Sequence, residues 1–238
     1  MKCLILIFGE SFRMGSQLTR VKGTPESVKG QIDACNTHIK FINYLESKYN
    51  LKVSVSLLTY KTDYNEILKE KYKDYLIKYE SLDNLIGLNG LFHRAYSKLN
   101  LEYYDFILYF RIDLFLKDYF FNIFNPYWDT IRFATILWLQ YQICGIHPTN
   151  NDMIIFIPKK YFIYLSKFDL TYHATWKYLI EKANLAINDL DTMINTFHDS
   201  DSEKDFNPLY YIVNRSQNQI WHDKGKFFDK YIFNKNIR

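Results

Sequence analysis

The chain has 238 residues, of which 48% are hydrophobic and 24% charged, a balance too apolar for a disordered protein. Thirty basic against 26 acidic side chains leave a net charge of +4, and the lysines are spread rather than clustered, which argues against a nucleic-acid-binding footprint. No apolar run approaches the ~18 residues of a membrane span, and three distant cysteines, Cys3, Cys35 and Cys144, point to buried thiols in a reducing compartment rather than a disulfide frame or zinc site.

The composition is unusual in its aromatics, which reach 18% with 21 Tyr, 19 Phe and 4 Trp, against only 8 Gly and 5 Pro. Lys, Asn and Ile are also abundant, a bias expected of an AT-rich genome. Part of the aromatic excess therefore reflects codon usage.

In chain order, Cys3 to Phe8 is a continuous apolar run ended by Gly9, as expected of a strand buried on both faces. The segment MKCLILIFGESFR is too short in its apolar part for a signal peptide, and no small-residue cleavage site follows. Thr24 and Pro25 read as the N-cap and first position of a helix. Val28, Ile32, Cys35, Ile39, Ile42 and Leu45 give that helix one apolar stripe. Leu51 to Thr59 alternates and is rich in Val, which predicts a second strand and opens a right-handed βαβ unit. Helices are expected over Tyr64–Ile77 and Leu88–Leu99. Asp105 to Leu116, DFILYFRIDLFL, reads as a central strand, with shorter strands at Ile131–Ala134 and Met153–Ile157. Helices follow from Pro158 through Leu165 and over Thr175–Leu185. Alternating strands and helices predict an α/β sandwich around a mostly parallel sheet.

Two charges interrupt the most apolar strand, Arg111 and Asp113, and their spacing of two places them on one face. Burying them in mid-strand would cost several kcal/mol each, on the order of an unpaired buried charge. They are therefore expected at the carboxyl end of the strand, where open α/β sheets bind ligands. An arginine there can grip a diphosphate and a carboxylate can hold a divalent cation. The plainer alternative is an internal ion pair at the sheet edge.

The turn after the first strand, Gly9 to Gly15, has neither a GxGxxG pattern nor the Lys-Ser/Thr of a P-loop. Gly9 allows close backbone approach to a ligand, and Arg13 can reach a phosphate or be a solvated side chain. Among the histidines, His38 and His93 lie in predicted helices and are assigned packing or surface roles. His198, Asp199, Asp201, Glu203 and Asp205 crowd HDSDSEKD without a fixed ligand spacing, so a solvated loop is expected there. No G-x-S-x-G elbow or Ser-His-Asp order is present.

The first strand with its glycine turn, the segment QIDACNTHIKFI and the strand YDFILYFRIDL resemble GT-A-type nucleotide-sugar glycosyltransferases. The match is to small bacterial and large-virus members, in which R-x-D stands in place of D-x-D. NNDMIIFIPKKYFIYL and FHDSDSEKDFNPLYYIVNR are similar to the region after the family's central strands and to its closing segment. The resemblance implies one GT-A-like α/β/α domain over residues 1–238, with a nucleotide-sugar half at 1–116 and an acceptor half at 117–238. It implies that Asp113 holds Mn²⁺ or Mg²⁺ on the donor diphosphate, with Arg111 in the place of the lost aspartate as a fixed cation. Gly9 and Arg13 fall along the nucleotide, and Asp63 falls where a base or ribose contact is made, or in an ordinary polar turn. His222, in IWHDKGK, falls where some members place a further metal ligand, the alternative being a surface histidine. Asp152 falls near the carboxylate that takes the acceptor proton in inverting members; a turn or capping role is its alternative.

The function expected is transfer of a sugar from a nucleoside diphosphate donor to a glycan or protein hydroxyl. A non-catalytic nucleotide- or glycan-binding module of the same fold is the alternative. Neither nucleic acid nor a membrane span is expected, and the location expected is cytoplasmic, in a host cell if the chain is virus-encoded.

Overall fold

The computed structural model of the chain describes residues 1–14, 21–84, 86–134, 136–137, 149–150, 153–167, 179, 182–183, 197–198 and 209–213. The apolar run at the start is β1 (Lys2–Gly9), with Cys3 through Gly9 buried. A short hairpin of β2 (Arg13–Met14) and β3 (Val21–Lys22) follows. Then comes the long helix α1 (Pro25–Tyr49), begun where expected: the Thr24 hydroxyl accepts from the Ser27 N–H at 3.1 Å. Asn50, in the left-handed region at φ 53°, ends it. β4 (Lys52–Tyr60), α2 (Asn65–Tyr72), β5 (Leu76–Leu82) and α3 (Gly87–Tyr96) complete the first half. β6 (Phe106–Arg111), β7 (Leu114–Leu116), α4 (Asp118–Ile123), β8 (Arg132–Phe133), β9 (Ile136–Leu137), β10 (Thr149–Asn150) and β11 (Ile154–Pro158) follow. A 3₁₀ turn at Lys159–Tyr161 leads into α5 (Phe162–Leu165), and β12 (Phe197–His198) and β13 (Tyr210–Ile212) come last.

The main sheet has the order β5-β4-β1-β6-β11-β8. β5, β4, β1 and β6 are parallel, and β11 runs antiparallel to β6 and to β8. Its sides bury different residues, as the strand period of two dictates. Ile5, Ile7, Val55, Leu57, Leu108 and Phe110 face Cys35, Phe41, Ile42 and Leu45 of α1 and Leu68 and Tyr72 of α2. Leu4, Leu6, Phe8, Leu58, Ile107 and Tyr109 face Leu91, Phe92 and Ala95 of α3 and Phe162 and Leu165 of α5. This is the three-layer α/β/α sandwich with a mostly parallel sheet that the sequence predicts. The sheet takes β11 and β8 from beyond residue 116, and β13 pairs with β7. Among the described residues no helix is long and apolar enough to cross a membrane.

Two elements differ from expectation. The helix predicted over Tyr64–Ile77 stops at Tyr72, and Leu76–Leu82 is the outermost parallel strand. That edge strand has only Leu82 fully buried, so its sequence lacks the apolar signature of its neighbours. The single strand predicted over Asp105–Leu116 is two strands, broken by a turn at Ile112 and Asp113. The helix predicted at Thr175–Leu185 lies mostly outside the described residues.

Candidate functional site

Chain order and sheet order together locate the place where a fold of this kind forms its ligand crevice. From β1 the chain winds outward through β4 to β5, then crosses to the other side of β1 to form β6. Above the carboxyl ends of β1 and β6 the connections therefore leave in opposite directions, the position where open α/β sheets take ligands. Phe8 pairs with Arg111 there, and Gly9 pairs with Thr59 of β4.

Gly9 is held at φ 137°, a conformation that side-chain-bearing residues rarely adopt, and a Cβ on it would lie 3.4 Å from the Ile112 side chain. The loop beyond it turns back through Phe12, fully buried at φ 54°. A bulky residue in the left-handed region marks a conformation imposed by its surroundings. Here the Phe12 carbonyl accepts from the Gly23 N–H at 2.9 Å, while its own N–H donates to Gln31 Oε1 at 3.3 Å. Ser11 and Thr59 hydroxyls meet at 2.8 Å, and Thr59 donates to the Gly9 carbonyl at 2.9 Å, which ties the loop to β4. Arg13 is 7% exposed and paired with Glu10, so it is a buried ion-pair partner rather than a solvated side chain.

Across the crevice, Arg111 ends β6 and Asp113 sits in the turn that follows. Their pairing is bidentate: Nε donates to Oδ1 at 3.0 Å and Nη2 to Oδ2 at 2.6 Å, with side chains 16% and 3% exposed. They form the internal ion pair that was the plainer alternative, and they stand at the carboxyl end of the strand as their charge predicts. The Asp113 carbonyl accepts from the Val213 N–H at 2.9 Å.

The segment after Arg111 is fixed from below by polar side chains of α1. Gln31 Nε2 donates to the Ile112 carbonyl at 2.7 Å, His38 Nε2 lies 2.6 Å from the Leu114 carbonyl, and the Leu116 N–H donates to Thr37 Oγ1 at 3.0 Å. A carbonyl only accepts, so His38 carries its proton on Nε2, and Nδ1 accepts from the Tyr72 hydroxyl at 2.6 Å. Burial lowers the His38 pKa to about 4, against the opposing pull of the Leu114 carbonyl and the nearby Asp113 charge. Burial also pushes the Tyr72 phenol and the Cys35 thiol up, so the cluster is neutral near pH 7. His38 is therefore neither surface nor apolar packing; it is a fully buried, doubly bonded support of the turn.

Of the residues singled out by sequence, Gly9, Arg13, Arg111 and Asp113 belong to the two segments that flank the crevice. Asp63 lies exposed in the turn after β4. Asp152 and His222 lie outside the described residues, as do Asp199 and Asp201. Glu10, Ser11, Gln31, Thr37 and Tyr72 were not anticipated. A signal for two of the supports exists in the helix itself: Ser27, Gln31, Ala34, His38, Phe41 and Leu45, spaced at three and four residues, form one buried face, in which Gln31 and His38 are polar residues among apolar ones.

Divalent-cation chemistry fits poorly with the described residues. Arg111 engages both Asp113 oxygens, and no group of three or more His, Cys, Asp or Glu side chains among the described residues could hold a metal ion. Arg111 and Arg13 are fixed positive charges in the two flanking segments, each paired with a carboxylate.

No family model matches the chain, and no curated protein matches it. Among solved structures, the 4-diphosphocytidyl-2C-methyl-D-erythritol synthase of Anaerococcus prevotii superposes with a TM-score of 0.50 at 11% identity, over 97% of this chain and 95% of that one. The inositol-1-phosphate CTP transferase of T. maritima gives 0.49 at 9% identity, over 100% and 97%. The catalytic domain of Drosophila β1,4-galactosyltransferase 7, in complex with xylobiose, gives 0.47 at 10% identity, over 92% and 72%. A mutant of that Drosophila enzyme is known in complex with manganese, UDP-Gal and xylobiose, with a TM-score of 0.45 at 11% identity over 94% and 73%. The structural neighbours are nucleotidyl- and glycosyltransferases. At these identities the likeness shows the fold alone, and the synthase carries it: the chain has the GT-A-like α/β fold.

Proposed function

We propose that the chain transfers a sugar from a nucleoside diphosphate donor to a glycan or protein hydroxyl. The observation that supports this best is the meeting of the strained Gly9–Arg13 loop with the Arg111–Asp113 turn at the strand-order reversal. Gly9 lets the nucleotide approach the backbone, Arg111 and Arg13 face the diphosphate, and Asp63 contacts base or ribose. In transfer, the bond from the anomeric carbon to the diphosphate oxygen breaks as the acceptor oxygen bonds to that carbon. Leaving-group charge builds on the diphosphate, where a fixed guanidinium is most effective. In an inverting reaction Asp152 takes the acceptor proton. The proposed cation, Mn²⁺ or Mg²⁺ with Asp113 and His222 as ligands, does not fit the described residues alone.

Thermal shift with UDP, GDP and CDP, each with and without Mn²⁺ and beside a short single-stranded oligonucleotide, tests the reading. A rise in melting temperature with at least one nucleoside diphosphate is expected. Stabilisation by the oligonucleotide alone would sink it. A second reading, a nucleotide-binding module without transferase chemistry, is favoured by the engagement of both Asp113 oxygens. Tight donor binding without release of free nucleoside diphosphate, in the presence of a broad acceptor panel, would select that module.

A further inference from the structure

Gln31 is 1% exposed, on the face of α1 that packs beneath the crevice. Its amide meets both halves of the donor site. Oε1 accepts from the Phe12 N–H at 3.3 Å, and Nε2 donates to the Ile112 carbonyl at 2.7 Å. The amide orientation is fixed by these partners, because Phe12 offers only a donor and Ile112 only an acceptor. No other described side chain bonds to both the Gly9–Arg13 loop and the Arg111–Asp113 turn. Main-chain hydrogen bonding there includes the Ile112 N–H donating to the Phe8 carbonyl at 3.0 Å, at the root of the loop.

We propose that Gln31 is a positioning residue of the donor site, a clamp that sets the separation between the glycine loop and the R-x-D turn. The proposal rests on the donor-site reading above. Phe12 is held in the left-handed region, and its N–H is one of the two backbone groups through which that conformation is retained. Ile112 lies between Arg111 and Asp113, so its carbonyl orients the peptide planes from which both charges project. One amide thereby couples the placement of Glu10 and Arg13 to that of Arg111 and Asp113. A diphosphate spanning the crevice needs both segments in place together, and loosening either lowers its affinity through the cost of reordering.

The test uses Gln31→Met, which keeps the length and removes both bonds, and Gln31→Glu, which keeps the acceptor and removes the donor at neutral pH. Hydrogen exchange by mass spectrometry reads peptides covering residues 9–13 and 111–113, with β4 as internal control. Calorimetry reads the UDP affinity at a temperature where each variant is fully folded by circular dichroism. In Gln31→Met, exchange in both segments should accelerate together by tenfold or more, β4 should be unchanged, and UDP affinity should fall tenfold or more. In Gln31→Glu, the affinity relative to wild type at the same pH should recover from pH 8 to pH 5, because a protonated carboxyl again donates to Ile112. Taking the ratio cancels titration of the UDP phosphate itself. A lower melting temperature with wild-type affinity and exchange would make Gln31 a core residue only and overturn the proposal. If wild type binds none of UDP, GDP and CDP, the donor reading fails. The exchange arm still decides whether Gln31 couples the two segments.

Discussion

At the amino-terminal edge of the sheet, Lys159 meets Glu102 at 3.4 Å with side chains 46% and 78% exposed. Lys2 there donates its N–H to exposed Asp105 at 2.7 Å and lays its ammonium over the Tyr103 ring at 3.4 Å. At the carboxyl edge the pairs Glu10–Arg13 and Arg111–Asp113 are nearly closed to solvent, and buried Ser11, Gln31, Thr59 and His38 stand behind them. Exposed pairs are screened and contribute little. Pairs taken out of water carry a desolvation penalty that well-packed apolar residues of similar volume would avoid. Among the described residues, the ion pairs that are nearly closed to solvent both lie at the carboxyl edge. That contrast argues that the carboxyl edge is kept polar for a task other than stability.

The contrast breaks hardest at Asp113. Asp113→Ala leaves the Arg111 guanidinium partly buried without its carboxylate, at a cost of about 3 kcal/mol. For a chain of this size that lowers the melting temperature by roughly 6 to 12 °C. The double variant Arg111→Met/Asp113→Leu should regain most of this stability in denaturant unfolding while UDP binding stays lost. Restored stability together with wild-type UDP affinity would show that the pair serves the fold alone.

His38 gives the same contrast a pH signature. Its pKa falls from 6.5 to about 4 on folding, so the native state resists protonation more than the unfolded chain does. The stability it contributes is complete above pH 6.5 and is lost as the pH falls toward 4, about 3 kcal/mol in all. Urea unfolding between pH 7 and pH 4 should show this loss in wild type, and His38→Gln should flatten it. An equally steep loss in the variant would assign the effect to another group.

The smallest effect belongs to the opposite edge. Lys159→Ala should change stability by no more than about 0.5 kcal/mol and leave nucleotide affinity untouched. A large loss there would erase the distinction between the edges.

The strands at the centre of the sheet were readable because burial on both faces leaves an unbroken apolar run, as in Cys3–Phe8. Leu76–Leu82 was not, because an edge strand half open to solvent can carry Lys78 and Glu80, both partnered by Arg94, and so mimics a helix. Thr24 and Pro25 located the start of α1 because capping is local chemistry. The buried face of α1 was only half readable. Apolar spacing found Cys35, Ile42 and Leu45, whereas Gln31 and His38 are buried because of carbonyls eighty-one and seventy-six residues away, which no local pattern encodes. Arg111 and Asp113 stood out for the opposite reason, as charges inside the most apolar stretch of the chain.

The central place of β1 also sets the order in which the molecule can be assembled. One of its hydrogen-bonding edges is met early by β4, while the other waits for β6, with Lys2 and Asp105 separated by 103 residues. At typical translation rates that second edge stays open for roughly 5 to 20 s after β1 is made. Its sequence, CLILIF, is apolar, uncharged and free of proline, the composition that pairs readily with foreign strands. The strand that anchors the fold is thus an aggregation hazard during synthesis, until Phe106–Arg111 arrives to cover it.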